Sequence, residues 1–203
     1  PLHTSPEQRA RLCELRAVFA RVCNALAPQV QQSRVWNRVA LHHLHYRALR
    51  EQFPELGSQM VCNAIYAVSK MARLIYQHPA SPYNLSRRTG QPLPLLKFAD
   101  SCPVYFDRHT MSIKPGQLSL YTMDGRMRFE LSLEPEKLAL FDQTRLREVV
   151  LNERMDHVFE LSFFLESPDA QAQSGAEAEK APVPTDGAGS APIPEYVSVE
   201  DAS

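Results

Sequence analysis

Apolar residues recur at helical spacing through the first third of the chain and switch to strict alternation beyond its middle. Leu12, Leu15, Phe19, Val22 and Leu26 follow one another at steps of three and four, which places them on one buried helix face. Ser5-Pro6-Glu7-Gln8 supplies the start: Ser5 as N-cap, Pro6 in the first turn, and Gln8 positioned to complete a capping box. Pro28 lacks an N–H and is expected to end this helix. A second helix is predicted over 33–53, where Trp36, Val39, His43, Tyr46 and Leu49 fall near helical spacing before Pro54 forces an exit. A third follows the turn at Leu56-Gly57, with Ser58 as N-cap and Val61, Ile65, Val68, Ala72 and Ile75 as its stripe. Pro79, Pro82, Gly90, Pro92 and Pro94 prevent any helix from continuing through 77–94.

From about Leu95 the period becomes two. Leu118, Leu120 and Thr122 face one way, and Met127, Phe129, Leu131 and Leu133 alternate after Asp124-Gly125, a pair suited to the central positions of a type I′ hairpin turn. Pro115-Gly116 reverses the chain after a strand over 110–114, and Val149–Leu151 with Val158–Leu165 read as a final strand pair. The fold class is therefore α+β: a bundle of about three helices over 1–94, then five or six strands over 95–166. Edge protection favours closing those strands into a small antiparallel barrel. Residues 167–203 are dominated by Ala, Pro, Gly, Ser and acidic side chains with Tyr196 as their one aromatic, so a disordered tail is expected there.

Charge sharpens this division. The formal net charge is -1, yet residues 1–97 carry +9, residues 98–166 carry -4 and residues 167–203 carry -6. Arginine supplies most of the cations in the helical part, and its planar guanidinium suits paired bonds to phosphate. That pattern points to a polyanion-binding face, against the alternative of an ordinary solvated helix surface. No apolar run approaches the roughly 18 residues of a membrane span, and the expected location is the cytoplasm with no membrane partner. Four cysteines without Cys-x-x-Cys spacing indicate neither a zinc ribbon nor a disulfide framework.

Specific words then carry a resemblance. LHHLHYRALREQFPEL (Leu41–Leu56), SQMVCNAI (Ser58–Ile65), LSLY (Leu118–Tyr121) and Gly125-Arg126 resemble TnpB, the RNA-guided DNA endonuclease of insertion-sequence transposons. The similarity spans roughly residues 2–166. It implies a helical recognition lobe and a wedge-like barrel that together hold guide RNA and target DNA, with base pairing supplying the long sequence specificity. It places Ser58, Gln59, Asn63, Asp107 and Arg108 near the DNA motif beside the target, and the cations Arg34, Arg38, Arg47, Arg50, Lys70, Arg87 and Arg88 serve as phosphate contacts. The family's RuvC nuclease domain and zinc ribbon have no counterpart, and the resemblance begins after the usual first barrel strand. The expected chain is therefore a nucleic-acid-binding part without catalysis or cofactor, magnesium entering only with a nuclease domain supplied elsewhere.

Other chemistry is thinly supported. His42, His43 and His45 offer two ligands to a helix face without a third, and no nucleophile motif or phosphate-binding glycine loop occurs. Trp36 and Tyr46 fit either a core or a base-stacking role. The competing functional class is a protein-interaction module or decayed transposon remnant, in which the acidic tail binds a partner or shields the basic face.

Overall fold

The protein, described from a computed structural model over residues 1–166 and 193–201, is an α+β structure. Helix α1 (Pro6–Ser33) starts as the sequence prescribes: the Ser5 hydroxyl accepts from the Gln8 N–H at 3.1 Å, and the Gln8 side chain accepts from the Ser5 N–H at 2.9 Å. Its end differs. The helix continues through Pro28 to Ser33 and closes at Arg34, which takes a left-handed φ of 56° and donates its N–H to Val30. A mid-helix proline costs roughly 3 kcal/mol, and here the sheet side of α1 offsets it. Asn24 clamps both backbone groups of Phe98 at 2.8 Å, Gln31 reaches the Leu93 carbonyl at 3.0 Å, and Ala27 and Val30 are buried.

That extension displaces the next helix. α2 (Arg38–Gln52) starts five residues later than its pattern suggested, capped by Asn37, whose side chain accepts from the Val39 and Ala40 N–H groups. Its buried positions are Leu41 and Leu49, while Val39 and Leu44 stand exposed and His42 stacks on Tyr46 at 4.6 Å. α3 (Ser58–Gln77) buries its whole predicted stripe, but the N-cap position is Gly57 and Ser58 is the first helical residue.

The strands do not close into a barrel. They form three small antiparallel sheets among the described residues. β2 (Val104–Phe106), β6 (Arg145–Glu153) and β7 (Phe159–Glu166) lie in the order β2-β6-β7; β3 (Met111–Lys114), β4 (Gln117–Thr122) and β5 (Gly125–Glu130) form a meander. β1 (Leu95–Phe98) pairs with β8 (Val197–Glu200). The last pairing corrects the expectation of a wholly disordered tail: Tyr196 and Val197 bring enough apolar surface to order residues 193–201, whereas 167–192 lie outside the described residues. The β4–β5 turn is also shifted by one. Thr122 pairs with Gly125, so Met123 and Asp124 are the loop and Gly125, at φ 90°, takes the left-handed position alone. A short helix α4 (Pro135–Gln143), with no buried residue, precedes β6 where no helix was predicted.

One cluster of buried apolar residues runs from α1 to β8, with Leu15, Phe19, Met60, Ile65, Phe106, Leu120 and Phe159 among its members. Cys23 and Cys102 are buried within it, and burial, reinforced by the neighbouring Cys102, pushes the Cys23 thiol well above its usual range.

Glu153 of β6 ties α1 to the β6–β7 hairpin. It accepts from Arg16 at 2.5 Å and from Arg9, and both guanidinium groups lie over the Phe159 ring. Burial works to raise its pKa, but the bonds from Arg9, Arg16 and His157 and the Arg16 charge outweigh it and hold the carboxyl at about 2, below its usual 4.5. A depressed folded pKa means that this stabilisation is fully present above about pH 4.5 and is lost as the pH falls toward 2. Urea unfolding of Glu153→Gln should show a lower midpoint than the parent at pH 7, with the gap narrowing by pH 3. An unchanged gap at the two pH values would remove Glu153 as the acid-sensitive tie.

Candidate nucleic-acid interface

The start of α3 meets the turn after β2 through residues far apart in sequence. Gln59 donates its amide N–H to Asp107 Oδ2 at 2.6 Å, and the other Asp107 oxygen accepts from the His109 N–H at 3.0 Å and the Thr110 hydroxyl at 2.9 Å. An aspartate bonded to the backbone two residues on fixes an Asx-type turn, so Arg108 and His109 project at its exposed tip. Asn63, one turn further along α3, is buried and donates to the Tyr105 carbonyl on the free edge of β2 at 3.0 Å. Arg126 of β5 closes the far side by donating to the His109 carbonyl at 2.9 Å and to the Ser119 hydroxyl at 3.1 Å. Gly57 lets Tyr121 pack closely at this junction: a Cβ there would lie 2.7 Å from Cε1 of the Tyr121 ring, which would have to move aside.

The five residues expected near a DNA motif thus fall into three kinds. Ser58 and Arg108 are exposed, Gln59 and Asp107 are half-buried in a mutual bond, and Asn63 is interior. An amide that is buried and bonded to a strand carbonyl supports the α3–β2 contact first.

The expected phosphate contacts divide in the same way. Arg34, Arg38 and Arg47 are exposed and form no ion pair among the described residues. Arg38 lies 5.0 Å over the Tyr66 ring. Nine residues at 3.6 per turn put Arg38 and Arg47 on opposite sides of α2, so they do not share one stripe. Arg50 turns back to the Leu56 carbonyl, Arg87 donates to the Pro79 carbonyl at 2.7 Å, and Arg88 is paired with Asp201. Lys70 contacts Glu148 at 2.7 Å, and Tyr66 donates to the same buried carboxylate at 2.7 Å. Burial, together with that bond, raises the Tyr66 phenol well above its usual range. In α1, Arg11 sits 3.6 Å from Asp124 and Arg21 lies 3.7 Å from Glu55, so that helix spends its charge internally.

Sequence reasoning missed an aromatic group beside these cations. Phe164 on β7 is 48% exposed, and the Lys70 ammonium lies 5.9 Å from its ring, 5.9 Å from Tyr66 and 5.4 Å from Tyr105. An exposed ring beside a cation is the basic element of a base-stacking surface. Period two alone gave no signal, because Phe163 and Phe164 are adjacent and only pairing decides which one faces outward.

The geometry defines an α+β protein whose helix–strand junction carries polar groups held in place by one another, and in which Lys70, paired with Glu148, also approaches the exposed Phe164 ring. No group of three or more His, Cys, Asp or Glu side chains suited to a metal lies among the described residues, and no helix among them is long and apolar enough to cross a membrane. No protein-family model matches the chain, and it matches no curated protein.

Asn63→Ala should destabilise by about 1–3 kcal/mol, because it leaves the Tyr105 carbonyl unpaired in the interior. Gln59→Ala, at the half-exposed end of the junction, should cost less than about 1 kcal/mol. Chemical denaturation of the two variants checks this order; equal effects would deny the inner position a structural role.

Proposed function

We propose that this chain is the nucleic-acid-binding portion of a TnpB-like RNA-guided DNA endonuclease, engaging guide RNA and target-adjacent DNA and holding no catalytic domain of its own. The observation that carries the reading is the α3–β2 junction: Gln59 and Asp107, distant in sequence, meet at 2.6 Å with Ser58 and Arg108 exposed beside them. An amide at a helix start and a guanidinium on the turn facing it are the kinds of group that contact base edges and phosphates. Arg34, Arg38 and Arg47 offer exposed charge for the nucleic-acid backbone, and Phe164 offers a stacking face.

A second reading, a non-catalytic protein-interaction module or transposon remnant, draws on a different observation. Arg9, Arg11, Arg16, Arg21, Lys70 and Arg88 are engaged by the protein's own carboxylates, which leaves less positive surface than the charge count implies.

Titration with structured RNA and duplex DNA at several salt concentrations separates the two. Nucleic-acid binding should weaken linearly with log salt, with a slope of about -0.7 to -0.9 per phosphate contact. Reversing Arg34, Arg38 and Arg47 to Glu should flatten that slope by roughly 2 to 3 units. Magnesium should support no cleavage by the purified chain. A flat response from the parent at low salt would leave the interaction module.

A further inference from the structure

The β1 edge is covered by an extended segment that returns from far along the chain. β1 has one strand neighbour among the described residues, β8, and without it the edge would present unpaired backbone groups. The register is regular and antiparallel, with Leu96 opposite Val199 and Phe98 opposite Val197, and the Ala99 N–H extends it by donating to the Tyr196 carbonyl at 2.9 Å. Side chains add selectivity. Val197 is buried, and Tyr196 covers a small cavity lined by Phe19, Cys23, Phe98, Cys102 and Tyr105, where burial pushes its phenol up to about 12.

Charge fixes the far end of the segment. Glu200 pairs with Lys97 at 2.6 Å, and Asp201 makes a two-bond contact with Arg88, one arm at 3.1 Å. The cation at Arg88 belongs to the 77–94 connector, and Lys97 belongs to β1 itself. The groove therefore reads direction as well as composition: an aromatic residue over the cavity, aliphatic residues alternating inward, and two acids beyond them. Backbone pairing supplies affinity and the alternate pockets supply specificity, as in strand addition generally.

Among the described residues this segment is not threaded between other strands. It lies on the outside of a two-stranded sheet and is joined to β7 only through residues 167–192. Because that covalent connection makes the pairing intramolecular, a free copy of the segment must compete with the tethered one, and even a modest intrinsic affinity keeps the site filled. We propose that the β1 edge, with Arg88 and Lys97, is a peptide-acceptor site, that Pro194–Asp201 is its resident intramolecular ligand, and that its exchange partner is an extended protein segment of the pattern Tyr-Val-x-Val followed by two acids. This holds whether or not the chain binds nucleic acid.

The test uses the full chain with a protease site inserted between residues 179 and 180 and a fluorescent peptide spanning Pro194–Asp201. After cleavage and dilution the body should stay folded by circular dichroism and bind the peptide saturably. The uncut chain should bind it roughly 100-fold more weakly, because the tethered copy competes. A peptide carrying Tyr196→Ala, or one carrying Glu200→Lys with Asp201→Lys, should lose at least about 10-fold in affinity. Saturable binding with this order among the peptides supports the proposal. Unfolding of the cut body would overturn it by making the segment part of the folding core, and so would equal binding by cut and uncut protein or indifference to the peptide changes.

Discussion

Two carboxylates on one strand hold the helical layer against the sheets. Glu153, at the end of β6, grips α1 through Arg9 and Arg16, while Glu148, near its beginning, grips α3 through Tyr66 and Lys70. Because both acids are largely withdrawn from water, their partners together offset the desolvation, and removing Glu153 would leave the buried Arg16 uncompensated. The apolar cluster beneath them supplies the bulk of the driving force; the ion pairs fix how the helices lie upon it.

The same arrangement governs what remains for a ligand. A net +9 over residues 1–97 suggested a continuous electropositive face, but an arginine count carries no information about which guanidinium groups are answered by acids from the other half of the chain. In the helical part the exposed cations without a carboxylate partner among the described residues include Arg34, Arg38 and Arg47, and helix geometry spreads the α2 members around the axis, while Arg108, Arg128, Arg145 and Arg147 are exposed on the strand part.

Local signals read well where they were strong and self-contained. The capping box at Ser5, the five-residue stripe of α3 and the Pro115-Gly116 reversal all stand in the structure, since each depends on neighbours within a turn or two. Readings failed where a distant contact decided. Pro28 is a helix breaker by propensity, but Asn24 and Gln31 dock that turn on β1 and its approach, which no local pattern reveals. The α2 stripe held at Leu49 but took in Val39 and His43, which satisfy helical spacing and yet stand exposed, and passed over the buried Leu41. Barrel closure was inferred from the need to protect edges, and the chain meets that need at β1 by returning a segment from beyond residue 192. The candidate site was legible as a set of residue types, while the bond joining Gln59 to Asp107 required the fold.

The paired sulfurs of Cys23 and Cys102 have a chemical corollary. Both are sealed from solvent, and the acidity of Cys23 is suppressed, so almost none of it exists as thiolate near neutrality. An alkylating reagent can capture these atoms only during moments when the interior opens. The rate at which they are consumed is therefore an intrinsic clock for breathing of the folded state, readable by mass spectrometry without introducing any label site.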